Sequence, residues 1–378
     1  NILEQHMRKS ISNNFNDGRI LSNARTAHIT EGTKPGLGRV TCQYRNRCIR
    51  GCPYGAYFSS NSSTLPAAEA TGNMTLMPNS IVHEIIYDED KKRATGVRVI
   101  DSVNNQSYEY YAKVIFLCSS TVGSTSILMQ SKSNRFPHGM GNDSGELGHN
   151  IMDHHFQVGA SGTFKGFKNK TTYGRKPAGF YIPRFRNIGG ITDRKDYIRG
   201  YQYQGGANRG FMSISDSAEE LVSYGPRFKE NVVKRDEWTA SMNGFGEILP
   251  YHDNKMSLNY EIKDKWGLPT VTFDAKIREN EITMRKDMKI QAEEMLERAG
   301  FENVSGYKRK YIFGNGIHEM GTARMGRDPK TSVLNGNNQI HEVKNVYVTD
   351  GSCMTSAGNQ NPSITYMALT ARAVSHAV

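Results

Sequence analysis

Residues 314–326 read GNGIHEMGTARMG, and residues 338–374 read NQIHEVKNVYVTDGSCMTSAGNQNPSITYMALTARAV. Within the second run, Asn345–Thr349 is a short β-rich stretch ending in Asp350-Gly351, where the chain must turn sharply. A loop of small residues follows from Ser352 to Gln360. Asn361-Pro362 then opens an apolar helix carrying Ile364, Met367, Ala368, Leu369 and Ala371. Asn361 suits the N-cap and Pro362 the first helical position, because proline's missing N–H is not needed there. Such a helix start, here Asn361, Pro362 and Ser363, offers N–H groups and a partial positive charge, so it can hold a phosphate or a group that becomes anionic. His318 lies on the Gly-rich segment just upstream. A base and an amide donor beside a positive helix end predict a catalytic corner.

Three segments in order, HEMGTARMG (318–326), NVYVTDGS (345–352) and NPSITYMALTARA (361–373), resemble the C-terminal signature of the glucose–methanol–choline (GMC) flavin oxidoreductases. The resemblance extends more loosely through VIFLCSSTVGSTSILMQS (114–131), LGHNIMDHH (147–155) and LPYHDNKMSLNYEIKDKWGLP (249–269). It implies an α/β (α+β) fold: a GMC-type flavin-binding domain with a second, substrate domain built on an antiparallel sheet. The expected division gives 1–155 and 311–378 to the flavin domain and 156–310 to the substrate domain. The resemblance also makes His318 and Asn361 the His/Asn version of the family's catalytic pair. It implies FAD as cofactor, with Asp350, Gly351, Asn361, Pro362 and Ser363 around it.

Bulk properties set limits. A chain of 378 residues has room for two or three domains of ordinary size. Mean hydropathy is −0.61, and no apolar run approaches the roughly 20 residues of a membrane span. The beginning, NILEQHMRKSISNNF, has no apolar signal core and no initial Met, which leaves open where the biological chain starts. Lys+Arg 48 against Asp+Glu 37 gives a net charge of +11. These charges are scattered, with no basic tract or recognition motif, so the reading is a solvated surface rather than nucleic-acid binding. An acidic redox partner would fit the same balance.

A dinucleotide fingerprint needs a strand, a Gly turn and a helix together. Gly36 and Gly38 form a GxG, but no β-rich run precedes them and no third glycine follows at the right spacing. The resemblance implies a GxGxxG segment cradling the FAD pyrophosphate, so that portion is expected outside the chain as given, or on another polypeptide. Loss of flavin binding is the blander alternative.

Three of the five cysteines, Cys42, Cys48 and Cys52, fall in TCQYRNRCIRGCPYGA with spacing C-x5-C-x3-C-P. A disulfide would leave one thiol over, and Arg45, Arg47 and Arg50 favour thiolates and an anionic cluster. Zinc would want a fourth ligand, for which His28 or His83 are candidates without normal finger spacing. Three thiolates suit an iron–sulfur centre lacking one corner iron. The pattern also resembles the segment that binds a 3Fe-4S cluster in FAD-dependent glucose and glucoside dehydrogenases of the same group. Structural thiols remain the plain alternative.

Residues 65–71 read as a short helix, and 75–118 as a three-strand meander broken by DEDKKR and SVNNQ. By resemblance the backbone at Val82 contacts the adenine. The apolar run 113–118 enters a small-residue turn at Ser119 and a helix over 124–131, an anion-friendly site that the resemblance places facing the flavin's ribityl chain, with an ordinary βα loop as the plain alternative. His149, His154 and His155 do not read as a metal site, because adjacent residues on a strand point apart. From 156 to 310, FYIPRF, YQYQGG and GFMSIS predict an antiparallel sheet with one packed face and one lining a pocket. Tyr201, Tyr203, Trp238 and Phe245 are candidates to stack on a sugar ring, though each alone reads first as a core residue. Residues 281–299 form an amphipathic helix stopped by Gly300.

The chemistry that follows is alcohol oxidation. A neutral His318 would take the O–H proton, and the Asn361 amide would fix the hydroxyl so that its C–H faces the flavin. The helix starting at Pro362 would offset charge on reduced flavin. With a cluster, electrons would leave singly for a haem or quinone, as in periplasmic or membrane-attached complexes with a small helper subunit and a cytochrome. The expected substrate is a saccharide oxidised at a ring hydroxyl, C3 of a glucoside ahead of C1 of glucose. An oxygen-using GMC oxidase without a cluster is the near alternative, and a non-catalytic binding module the distant one.

Overall fold

A computed structural model describes residues 1–31, 38–45, 48–172, 179–210, 225–226, 228–229 and 235–377. Gly36, Arg47 and most of the GFMSIS run lie outside the described residues. The chain forms two compact units: Asn1–Leu76 with Gln157–Phe245 and Thr283–Lys310, and Met77–Phe156 with Gly246–Ile282 and Tyr311–Val378. Beside the divisions expected near 155 and 310, the units therefore also divide after 76, 245 and 282. Among the described residues no helix is long and apolar enough to cross a membrane.

The first unit opens with a helix that the polar composition of residues 1–40 hides. Helix α1 (Ile2–Asn14) starts where the Asn1 side chain accepts from the Leu3 and Glu4 amides at 3.1 and 3.2 Å, with Glu4 reciprocating at the Asn1 backbone. Leu3, Met7 and Ile11, spaced by four, fill the core while the remaining face stays polar. A six-stranded sheet follows in the order β1-β7-β8-β9-β6-β12, with β1 (Ser22–Asn23), β6 (His154–Phe164), β7 (Phe180–Ile182), β8 (Tyr201–Asn208), β9 (Trp238–Glu247) and β12 (Glu302–Lys308). The β1–β7, β7–β8 and β6–β12 pairs are antiparallel.

Burial alternates along β9, with Trp238, Ala240 and Met242 inside and Thr239 and Ser241 exposed. The inner face packs with Met284, Met288 and Met295 of α4 (Glu279–Arg298; α2 and α3 are given below). This decides between the two readings of the aromatic residues. Tyr201, Tyr203 and Trp238 are core residues rather than an open sugar platform: each is at most 1 % exposed. Their polar ends are also engaged, Tyr203 Oη donating to Met288 O, Tyr201 Oη to Asp287, and Trp238 Nε1 to Phe167 O. The period-two pattern sends them to the face that α4 covers. Helix α2 (Thr64–Glu69) matches the short helix expected there.

In the second unit, β2 (Ser80–Asp88), β3 (Arg93–Asp101) and β4 (Ser107–Tyr111) form the expected antiparallel meander. The third predicted run splits, however. Its apolar end becomes β5 (Ile115–Leu117), which leaves the meander and pairs in parallel with β13 (Val346–Val348). Helix α3 (Ser120–Gln130) follows β5 at once, four residues ahead of its expected start. β10 (Lys255–Lys263) and β11 (Pro269–Asp274) make an antiparallel hairpin. Ile85, Leu117, Leu128, Phe136, Leu334 and Val348 belong to one buried cluster.

The last helix, α5 (Ser363–Ala377), begins one residue later than its sequence suggests: the Pro362 carbonyl accepts from Thr365 and Tyr366. Its apolar stripe is bare. Ile364, Met367 and Val374 are 78 %, 51 % and 45 % exposed, and Ala373 is its one buried residue.

Candidate active site

Three motif segments lie side by side in the second unit. Backbone hydrogen bonds join Gly321 N to Gly351 O, Ala323 N to Ser352 O and Met325 N to Cys353 O, each 3.0 Å. On the other flank Met152 and Met320 exchange amide bonds, and Gly148 N donates to Thr322 O. Backbone approach this close leaves Gly351 no room for a side chain, since a Cβ there would collide with Glu319 O and Thr121 Oγ1. The loop ahead of this ladder carries His318, and the chain beyond it returns at Asn361.

Asp153, fully buried, holds the His318 loop by its backbone. Its Oδ2 accepts from Tyr311 Oη at 2.8 Å, Gly314 N at 3.1 Å and Gly316 N at 2.9 Å. Its Oδ1 accepts from His154 N at 2.7 Å and His318 N at 3.2 Å. Gly316 is needed because any Cβ would strike the Asp153 carboxylate and the His154 carbonyl. Ile317 sits in the left-handed region at φ 53, a conformation a β-branched residue rarely adopts. It adopts it where amides on both sides are fixed by one carboxylate.

His318 Nε2 stands 3.3 Å from Asn361 Nδ2, so the expected pair is brought together at the head of α5. On the opposite side, His318 Nδ1 is 2.8 Å from Nδ1 of His154, whose Nε2 lies 3.1 Å from Gly358 O. Burial lowers the His318 pKa below its ordinary 6.5, against the raising effect of the Asp153 charge. Burial, with the neighbouring His318, takes His154 down to about 4. Both imidazoles are therefore neutral at pH 7. His154 and Asp153 were not singled out from sequence as parts of this corner. They lie 164 and 165 residues from His318, and no local signal marks such a contact.

Two family models match the chain, over residues 19–156 and 250–370, and both describe a GMC oxidoreductase. This chain belongs to the GMC oxidoreductase family. It is 25 % identical to the fructose dehydrogenase large subunit of Gluconobacter japonicus, over 90 % of this chain and 60 % of that protein. It is 28 % identical to the 2-methyl-1,2-propanediol dehydrogenase of Mycolicibacterium austroafricanum, over 90 % and 61 %. To the gluconate 2-dehydrogenase flavoprotein of Pantoea cypripedii it is 25 % identical, over 82 % and 52 %. The chain thus spans about 60 % of the first two relatives' length. Its fold is similar to that of pyridoxine 4-oxidase from Mesorbium loti, with a TM-score of 0.55 at 15 % identity, covering 100 % of this chain and 69 % of that one.

The residues of this GMC oxidoreductase expected to hold flavin lie in three places. Val82 and Ser119 line one cavity of about 350 Å³ with His83, Gly123, Gln130 and Asp264. Asp350 and Gly351 follow β13 at the carboxyl end of the parallel pair, where open α/β sheets bind ligands. The Asp350 side chain is itself engaged, accepting from Ser124 Oγ at 2.5 Å and from Ser352 N and Oγ at 3.0 and 2.6 Å. It ties α3 to the turn after β13. Asn361, Pro362 and Ser363 form the α5 start, whose first amides have no intrahelical acceptor. These features suit a flavin with its phosphates.

The cysteine loop is different. Cys42, Cys48 and Cys52 are free and partly buried, and His28 Nε2 lies 3.2 Å from Cys48 Sγ. Burial raises the Cys52 thiol, but the amides of Tyr57, Tyr54 and Ala56 and the charge of Arg45 outweigh it, so its pKa is lowered. Among the described residues no three His, Cys, Asp or Glu side chains converge as metal ligands. The three thiols as placed therefore do not form a ligand set for a 3Fe-4S cluster.

Proposed function

We propose that this GMC oxidoreductase carries out FAD-dependent oxidation of a saccharide ring hydroxyl, with His318 as the base that takes the hydroxyl proton. The observation that carries the reading is the His318–Asn361 pair, 3.3 Å apart at the head of α5. Above its lowered pKa the His318 imidazole is neutral and can accept a proton at Nε2. The Asn361 carboxamide, which does not titrate, orients the hydroxyl toward that nitrogen. Bound FAD would supply the hydride acceptor. A saccharide substrate is supported by relatives named as dehydrogenases of fructose and gluconate. A ring hydroxyl, C3 of a glucoside ahead of C1 of glucose, is the specific choice.

The reading includes a complementary flavin-binding segment carrying the GxGxxG turn, on the same or another polypeptide. The bare stripe of α5 supports it, as does the parallel pair β5–β13, which is two-stranded among the described residues where sheets ordinarily have more strands. A 3Fe-4S cluster on Cys42, Cys48 and Cys52 is a further proposal, supported by their spacing and by the thiolate-favouring surroundings of Cys52. It requires the loop to gather its thiols on metal binding, which metals commonly drive. A small helper subunit, a cytochrome acceptor and a periplasmic setting belong to the same proposal.

The test uses the complete flavin-loaded protein, titrated anaerobically with sugars while the visible spectrum is followed. Bleaching of the flavin bands by one sugar is expected, and His318→Ala should keep the yellow colour and lose the bleaching. Unchanged reduction in that variant would remove His318 as the base. Iron and sulfide content, with the paramagnetic resonance spectrum of the oxidised protein, tests the cluster separately.

A further inference from the structure

A base is useful only if the lone pair faces the substrate. Imidazole has two nitrogens, and in the neutral ring one is a donor and the other an acceptor. Which of the two on His318 carries the proton is decided by a chain of partners that can be followed atom by atom. It starts at Gly358, whose carbonyl oxygen can only accept. His154 Nε2, 3.1 Å away, must therefore be the protonated nitrogen of that ring. Since burial keeps His154 neutral, its Nδ1 holds a lone pair. Only one proton fits between two nitrogens 2.8 Å apart, so the proton between His154 Nδ1 and His318 Nδ1 belongs to His318. The remaining His318 nitrogen, Nε2, then carries no proton, and the Asn361 amide donates to its lone pair at 3.3 Å in the place a substrate hydroxyl would take. The orientation of the Asn361 carboxamide, NH2 group toward His318, follows from the same chain.

We infer that His154 is a positioning residue that fixes His318 in the Nδ1–H tautomer, leaving Nε2 as the proton acceptor, while Asp153 beside it fixes the His318 backbone. Two adjacent residues in LGHNIMDHH thus divide one task. Asp153 sets where the ring stands through the amides of Gly314, Gly316 and His318, and His154 sets which nitrogen is basic. When Nε2 takes a proton, the Nδ1–H bond to His154 persists and strengthens, because its donor is now cationic. The acceptor here is a neutral imidazole, so it directs the proton without adding a second charge to the site. The inference rests on His318 being the base, but the tautomer can be read without activity.

The test is the ¹⁵N spectrum of histidine-labelled complete protein, with the His318 signals assigned by their loss in His318→Ala. The parent is expected to have a protonated Nδ1 and a bare Nε2 on His318. A protonated Nε2 would overturn the inference whatever the enzyme does. Two variants separate tautomer control from packing. His154→Ala removes the acceptor, whereas His154→Asn restores an acceptor oxygen near the same point; both lose the bond to Gly358. Flavin reduction is expected to fall on the order of 10²-fold in His154→Ala and to stay within about fivefold of the parent in His154→Asn, at equal flavin content. Equal losses in the two variants, or none in His154→Ala, would refute the role. Retained reduction in His318→Ala would instead refute the base assignment, leaving the measured tautomer as it stands.

Discussion

Nδ1 of His154 and Nδ1 of His318 are 2.8 Å apart although 164 residues separate them in the chain. Their rings meet edge to face, 4.9 Å between centroids at 77°. Neither can gain a proton at the shared position without breaking the contact, so the acid behaviour of the corner is set by this pair.

The rate of flavin reduction should follow one ionisation on its acid side. The base must be neutral, so activity is full above the His318 pKa and falls as pH drops through it. Burial puts that pKa below 6.5. Stopped-flow bleaching between pH 4.5 and 8 should therefore give a midpoint below 6.5, and a midpoint above it would contradict the buried, neutral imidazole.

Stability should fall on the same side of neutrality for a separate reason. His154 titrates near 4 in the native state and near its ordinary 6.5 unfolded. Between these values the unfolded chain binds a proton that the native one refuses, so stability is lost as pH falls from 6.5 toward 4. The full loss is about 3 kcal/mol. Urea midpoints measured across this window should show the slope, and His154→Asn should flatten it.

Asp153→Asn exchanges a carboxylate that accepts from five donors for a group with one acceptor oxygen and its own N–H groups. Several buried donors would be left unmatched. The expected cost is about 2–4 kcal/mol at unchanged urea m-value, with flavin reduction slowed because His318 loses its backbone anchor. A loss under about 0.5 kcal/mol would show that the loop holds itself.

In the other unit, Asp287 accepts from Tyr197 and Tyr201 at 2.7 and 2.6 Å and from Arg186 Nε at 3.0 Å. Asp287→Ala should destabilise by about 3–5 kcal/mol, because it takes the shared acceptor from a largely buried guanidinium and two phenols. The His318 nitrogen signals should remain those of the parent.

Ile317→Gly relieves a left-handed β-branched residue whose side chain is 77 % exposed. Removing that strain is worth roughly 1–2 kcal/mol, and glycine's extra freedom unfolded takes back roughly half. A small rise in the urea midpoint is the expected result; a fall would mean that the side chain is held by contacts that outweigh its backbone strain.

Much of this molecule could be read from periodicity. The β2–β4 meander, the 20-residue helix α4 and the strand–turn–helix at the carboxyl end all announce themselves. Helix α1 did not, because three apolar residues at spacing four are outnumbered by polar ones on the exposed face. Tyr201, Tyr203 and Trp238 read first as core residues, with a ligand platform as the sharper alternative. Their strand pattern fixed that they share a face, and only the packing of α4 decided which face it was. Residues 108–118 looked like one strand, yet the parallel partner at 346–348 claims its end.

Local pattern and motif spacing were enough for the family, for most strands and helices, and for the pairing of His318 with Asn361, because those features reside in neighbouring residues. The tertiary structure alone decided that Asp153 anchors the His318 backbone and that His154 stands behind its ring. Both contacts join segments more than 160 residues apart, and a hydrogen bond is set by distance and direction in space, which linear spacing does not encode.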